Sequence, residues 1–157
     1  MRTLTVVVFA ILLSSCDSKP AEAPKTEAPK PAETPKPPDE SRRFSKVNLV
    51  DTIVVGKQLL GKPFMPGGTL AQYKKGQAEF DMFIAKTASP TDAALLLPDW
   101  KKVLGDAKYE ASFGGYYGHD AGRPIFVFTK GAWIAGIAGL PEKQADAEAR
   151  KLAKALD

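Results

Sequence analysis

Pro124-Ile125-Phe126-Val127-Phe128-Thr129-Lys130-Gly131-Ala132-Trp133-Ile134-Ala135-Gly136-Ile137-Ala138 reads as two strands on a tight turn. The runs 124–129 and 132–138 are rich in β-branched and aromatic residues, and Lys130-Gly131 separates them. Both runs are apolar on both faces, which places them at the centre of a sheet.

Working outward, Leu70 to Tyr73 and Ala78 to Lys86 flank the polar turn Lys74-Lys75-Gly76 and predict a hairpin with Phe80, Met82 and Ile84 on its inner face. Val47 to Val55 alternates apolar residues at 47, 49, 53 and 55, a strand pattern interrupted by Asp51. Lys62 to Gly68 is a turn-rich connection. Ser89-Pro90-Thr91-Asp92 is a helix start: Ser89 caps, Pro90 suits the first turn and Asp92 suits the positive end of the dipole. Apolar residues at 93, 96, 97, 100, 103 and 104 continue at helical spacing, Pro98 predicts a kink or a split, and Gly105 is a left-handed stop. Lys108 to Phe113 is a further strand, running into a glycine-rich loop from Gly114 to Gly122. A last helix starts at Pro141 and aligns Ala145, Ala149, Leu152 and Leu156. These elements predict an α+β domain over residues 44–157, an antiparallel sheet of about five strands with two helices packed on one face.

Ahead of that domain the composition changes. Residues 17–43 hold seven of the thirteen prolines, six basic and six acidic side chains, and no large apolar residue. Such a segment cannot bury enough surface to offset its ordering entropy and reads as a disordered linker. In polyproline II form its 27 residues reach roughly 80 Å. The formal charge of +4 is spread along the chain without a basic block, which excludes nucleic acid as an expected partner.

The chain opens with Arg2, an apolar run from Leu4 to Leu13 and small residues before Cys16, its only cysteine. Residues 1–15 have the marks of an export signal and are too short to span a bilayer. Leu13-Ser14-Ser15-Cys16 resembles the lipobox of bacterial lipoproteins. That resemblance implies cleavage before Cys16, a diacylglycerol on its sulfur and a further acyl chain such as palmitate on the new amino terminus. The expected location is the bacterial cell envelope, on a membrane and facing away from the cytoplasm. Asp17 resembles an inner-membrane retention signal, which in a Gram-negative cell favours the periplasmic side of that membrane. With Cys16 lipidated no thiol remains for a disulfide, a metal site or a nucleophile. In the globular part, Thr69-Leu70-Ala71-Gln72-Tyr73, the Phe80 to Thr87 strand with its following Ser-Pro-Thr-Asp-Ala, and Phe126 to Trp133 resemble uncharacterised bacterial envelope domains of unknown function, a resemblance that implies no activity.

Candidate sites are few. Gly56 to Lys62 has the glycine and lysine spacing of a phosphate-binding loop, but Pro63 stands where a magnesium-binding hydroxyl belongs. Glu79 and Asp81 share one strand face, an arrangement open to acid–base work or to plain solvation. Tyr116, Tyr117, His119, Asp120 and Arg123 gather aromatic surface, a titratable group and an anion contact in the expected glycine-rich loop, the predicted ligand- or partner-binding site. No catalytic triad, metal ligand set or cofactor motif accompanies them. Trp100 and Trp133 fall at core positions. The expectation is a lipid-anchored, non-enzymatic binding module with an envelope protein as partner. The competing readings are an envelope hydrolase using Glu79, Asp81, His119 and Asp120, and a purely structural lipoprotein.

Overall fold

The computed structural model describes residues 36–157. The expected signal segment, the expected lipidation site Cys16, the expected sorting residue Asp17 and most of the expected linker lie outside the described residues.

The central hairpin forms as its sequence predicts. Strand β6 (Arg123–Lys130) and strand β7 (Trp133–Ala138) pair antiparallel from Lys130↔Trp133 to Ile125↔Ala138. Every residue of β7 is buried. The hairpin of β2 (Pro66–Lys75) and β3 (Ala78–Lys86) is longer than predicted and sets Tyr73 opposite Phe80, with the two rings stacked at 5.0 Å. Strand β1 (Leu49–Lys57) lies outside β2, and β4 (Gly105–Glu110) with β5 (Gly115–Asp120) completes the other side. The sheet is antiparallel throughout and has seven strands in the order β1-β2-β3-β7-β6-β5-β4.

The predicted five strands therefore become seven, mainly because the expected loop from Gly114 to Gly122 is strand β5 and its turn. Glycine there serves close approach: a Cβ on Gly118 would stand 2.8 Å from the Gly105 carbonyl oxygen and 3.1 Å from Leu104 Cβ. The left-handed residue after the helix is Asp106 (φ 52°), not Gly105.

Ser89 caps as expected, its hydroxyl accepting from the Asp92 amide at 3.1 Å. The helix then breaks at Leu96 into α1 (Pro90–Leu95) and α2 (Leu97–Val103), with Pro98 in the first turn of the second. Helix α3 (Glu142–Ala155) follows Pro141.

The helices do not share a face. Trp100 and Leu104 pack with Phe83, Ile125, Val127 and Ile134 on one side of the sheet. Ala145, Ala149, Leu152 and Leu156 pack with Met82, Ile84, Phe126, Phe128 and Ile137 on the other. The reason lies in the central strands. Residues of both parities in β3, β6 and β7 are apolar, so each face has to be covered.

The folded unit also starts before residue 44. Ser41–Arg43 is a 3-10 turn, and Glu40 is nearly buried with its amide donating to Thr69 Oγ1 at 3.2 Å. Arg43 donates to the Ala155 carbonyl at 2.6 Å and lies 4.7 Å from the centre of the Trp133 ring. A cation on the last carbonyls of a helix satisfies an orphan acceptor and suits the dipole. Among the described residues no helix is long and apolar enough to cross a membrane.

Candidate functional site

Because β5 is a strand, its side chains alternate between the two faces, and the predicted five-residue site is divided. Tyr116 packs on the α1–α2 side, edge-on to Tyr109 at 5.4 Å. Asp120, of the same parity, accepts from Lys62 Nζ at 2.7 Å. Arg123 donates to Asp81 Oδ2 at 2.8 Å and to the Ala138 carbonyl at 3.2 Å. Its position requires glycine at 139: there φ is +99°, and a Cβ would meet the guanidinium at 2.9 Å. Tyr117 and His119 lie on the α3 side with their rings 6.2 Å apart, and His119 is exposed.

The hydrolase constellation is not assembled. Asp81 and Asp120 are each occupied by a cation, and Glu79 accepts from Lys74 Nζ at 2.7 Å. That hydrogen bond, with the ammonium charge behind it, holds the Glu79 carboxyl below its usual range. A general acid requires the opposite shift. His119 faces away from both aspartates. Among the described residues no three His, Cys, Asp or Glu side chains converge as a metal site. In the phosphate-loop lookalike, Leu59 is buried and Lys62 is committed to Asp120, which makes this segment a packed turn.

Tyr117 does line a cavity, of about 270 Å³, together with Glu110, Glu142 and Asp146. Lys108 bridges Glu110 and Glu142 and holds the Glu142 carboxyl low. Burial, helped by the charge of Glu142, pushes the Tyr117 phenol up.

A larger cleft, of about 400 Å³, lies on the α3 side where the chain enters the domain. Phe44, Tyr73, Phe80, Met82 and Leu152 form its apolar floor, Val47 stands exposed beside it, and Arg43, Lys75, Lys151 and Glu148 surround it. Glu148 is held by Lys151 at 2.8 Å and Arg43 by Glu40 at 3.0 Å, whereas Lys75 makes no ion pair among the described residues. Tyr73 donates its hydroxyl proton to the Ser45 carbonyl at 2.9 Å. Burial first, and then the Glu148 carboxylate, push its phenol from 10.0 up to about 12, so it stays a neutral donor. The cleft can hold an apolar group with an anionic end.

This cleft was not legible along the chain, because its lining comes from separated stretches around residues 43–48, 73–82 and 148–155 and contains none of the predicted site residues. Comparison of the chain with family models, curated proteins and solved structures found no match.

Proposed function

We propose that this protein is a lipid-anchored cell-envelope module that binds a partner without chemistry of its own. The lipobox-like Leu13-Ser14-Ser15-Cys16 supports the anchor, and Asp17 supports the periplasmic side of the inner membrane in a Gram-negative cell. Each buried methylene contributes about 0.8 kcal/mol, so two or three acyl chains hold firmly where one exchanges. The linker lets the domain reach a partner near the membrane and raises its local concentration there.

The observation that carries the binding reading is the cleft beside residues 43–48, apolar at its floor and cationic at its rim. The chemistry that fits is an aromatic or aliphatic side chain close to a carboxylate, as on an acidic segment of an envelope protein. Against a hydrolase stands the pairing of Asp81, Asp120 and Glu79 with Arg123, Lys62 and Lys74.

The test is a pulldown from detergent-solubilised envelopes with the full chain, beside Cys16→Ala and a Val47→Asp/Lys75→Glu double variant. Both positions of the double variant are exposed, so folding is expected to be unaffected. A partner held by the wild type and released by the double variant supports the reading. Retention by the double variant sinks the cleft, and its release by Cys16→Ala alone shows that contact requires the anchor.

A further inference from the structure

The two edges of the sheet are unlike. Strand β4 is short, its register slips between Gly105 and Lys108, Asp106 is left-handed, and Lys108 is tied to Glu110 and Glu142. Bulges and lysine are devices that keep an edge from pairing. Strand β1 keeps them at its two ends, a register shift between Leu49 and Asp51 and Lys57 as its last residue. It runs for nine residues, is regular against β2 from Asp51 to Lys57, and is β-branched from Thr52 through Val55. Val50 and Ile53 are 66% and 41% exposed. Among the described residues no strand pairs with its outer side. Such an edge is a template for another strand.

Its charges select the occupant. Asp51 and Lys57 bracket the apolar run on the same face of the strand. Neither makes an ion pair among the described residues; the Asp51 carboxylate accepts only the Thr52 amide, at 2.7 Å. A two-fold axis perpendicular to a sheet passes midway between the two copies of one residue, because opposed side chains must point to the same face. With the axis at Val54, Asp51 faces Lys57 of the second copy twice over, Ile53 faces Val55 twice, and Val54 faces its own counterpart. With the axis at Thr52, Ile53 or Val55, neither charge meets its opposite. The self-complementary register is thus unique within this strand.

We propose that two copies of this chain associate through β1 in the antiparallel register centred on Val54, giving one continuous sheet. The helices pack against β5, β6 and β7 and leave β1 accessible. An interface of one strand pair is small, so association is weak for freely diffusing copies and gains from confinement on a common surface.

The decisive experiment is sedimentation of the full chain over a concentration series, with Asp51→Lys, Lys57→Asp and their equimolar mixture. Each single variant opposes like charges at two places, and its dissociation constant is expected to rise about tenfold. In the mixture every introduced charge meets its opposite, so association returns close to that of the wild type, which no misfolded pair of variants can imitate. A wild type that stays monomeric throughout overturns the proposal. So does a mixture that associates no better than its two components.

Discussion

Tyr73 shows how a single side chain can report on the packing around it. Its ring lies on Phe80, its hydroxyl donates to Ser45, and its phenol is raised to about 12. Below pH 10 both folded and unfolded chains keep that proton; between 10 and about 12 the unfolded chain loses it and the folded chain does not. Stability attached to this group is therefore complete below pH 10 and is lost as pH rises through the folded value. The wild type should lose stability more steeply than Tyr73→Phe over that window, a difference read from urea midpoints at stepped pH; parallel curves would refute it. Nothing in the sequence marks Tyr73, because its partner Ser45 is 28 residues away. Ser89 was legible for the opposite reason, since cap and capped amide stand three residues apart.

Among the elements, β6 and β7 were legible and β5 was not. An apolar run on both faces has one good solution in a sheet, whereas Gly115-Tyr116-Tyr117-Gly118-His119-Asp120 carries turn residues at strand positions. The glycine signal was real but concerned space and not flexibility. Gly118→Val should accordingly cost about 1–3 kcal/mol by overpacking against Gly105 and Leu104. Chemical denaturation measures this, and a neutral substitution would mean that β4 can move away. Reading β5 as a loop also gathered Tyr116 and Tyr117 into one site, although a strand sends them to opposite faces. The helices carry the same lesson. The apolar stripes locate them correctly along the chain, but a stripe does not say which side of a sheet it covers.

At the scale of the molecule, the sheet closes only where β3 meets β7, joining Asp81 to Ala138 and the two halves of the chain. The start of the domain is fastened just as remotely, since Arg43 holds the Ala155 carbonyl across 112 residues. Arg43→Ala removes that bond, the Glu40 pair and the Trp133 contact together, and should lower stability by about 1–3 kcal/mol. Thermal unfolding checks it, and an unchanged midpoint would show the segment to be held by Phe44 and the Glu40–Thr69 and Ser45–Tyr73 hydrogen bonds without it. The placement of this fastening has a mechanical meaning. A pull on the chain ahead of Glu40 loads first the Thr69 hydroxyl, on strand β2, and the end of α3. The turn at residues 41–43 therefore divides a load entering from the linker side between the sheet and the last helix.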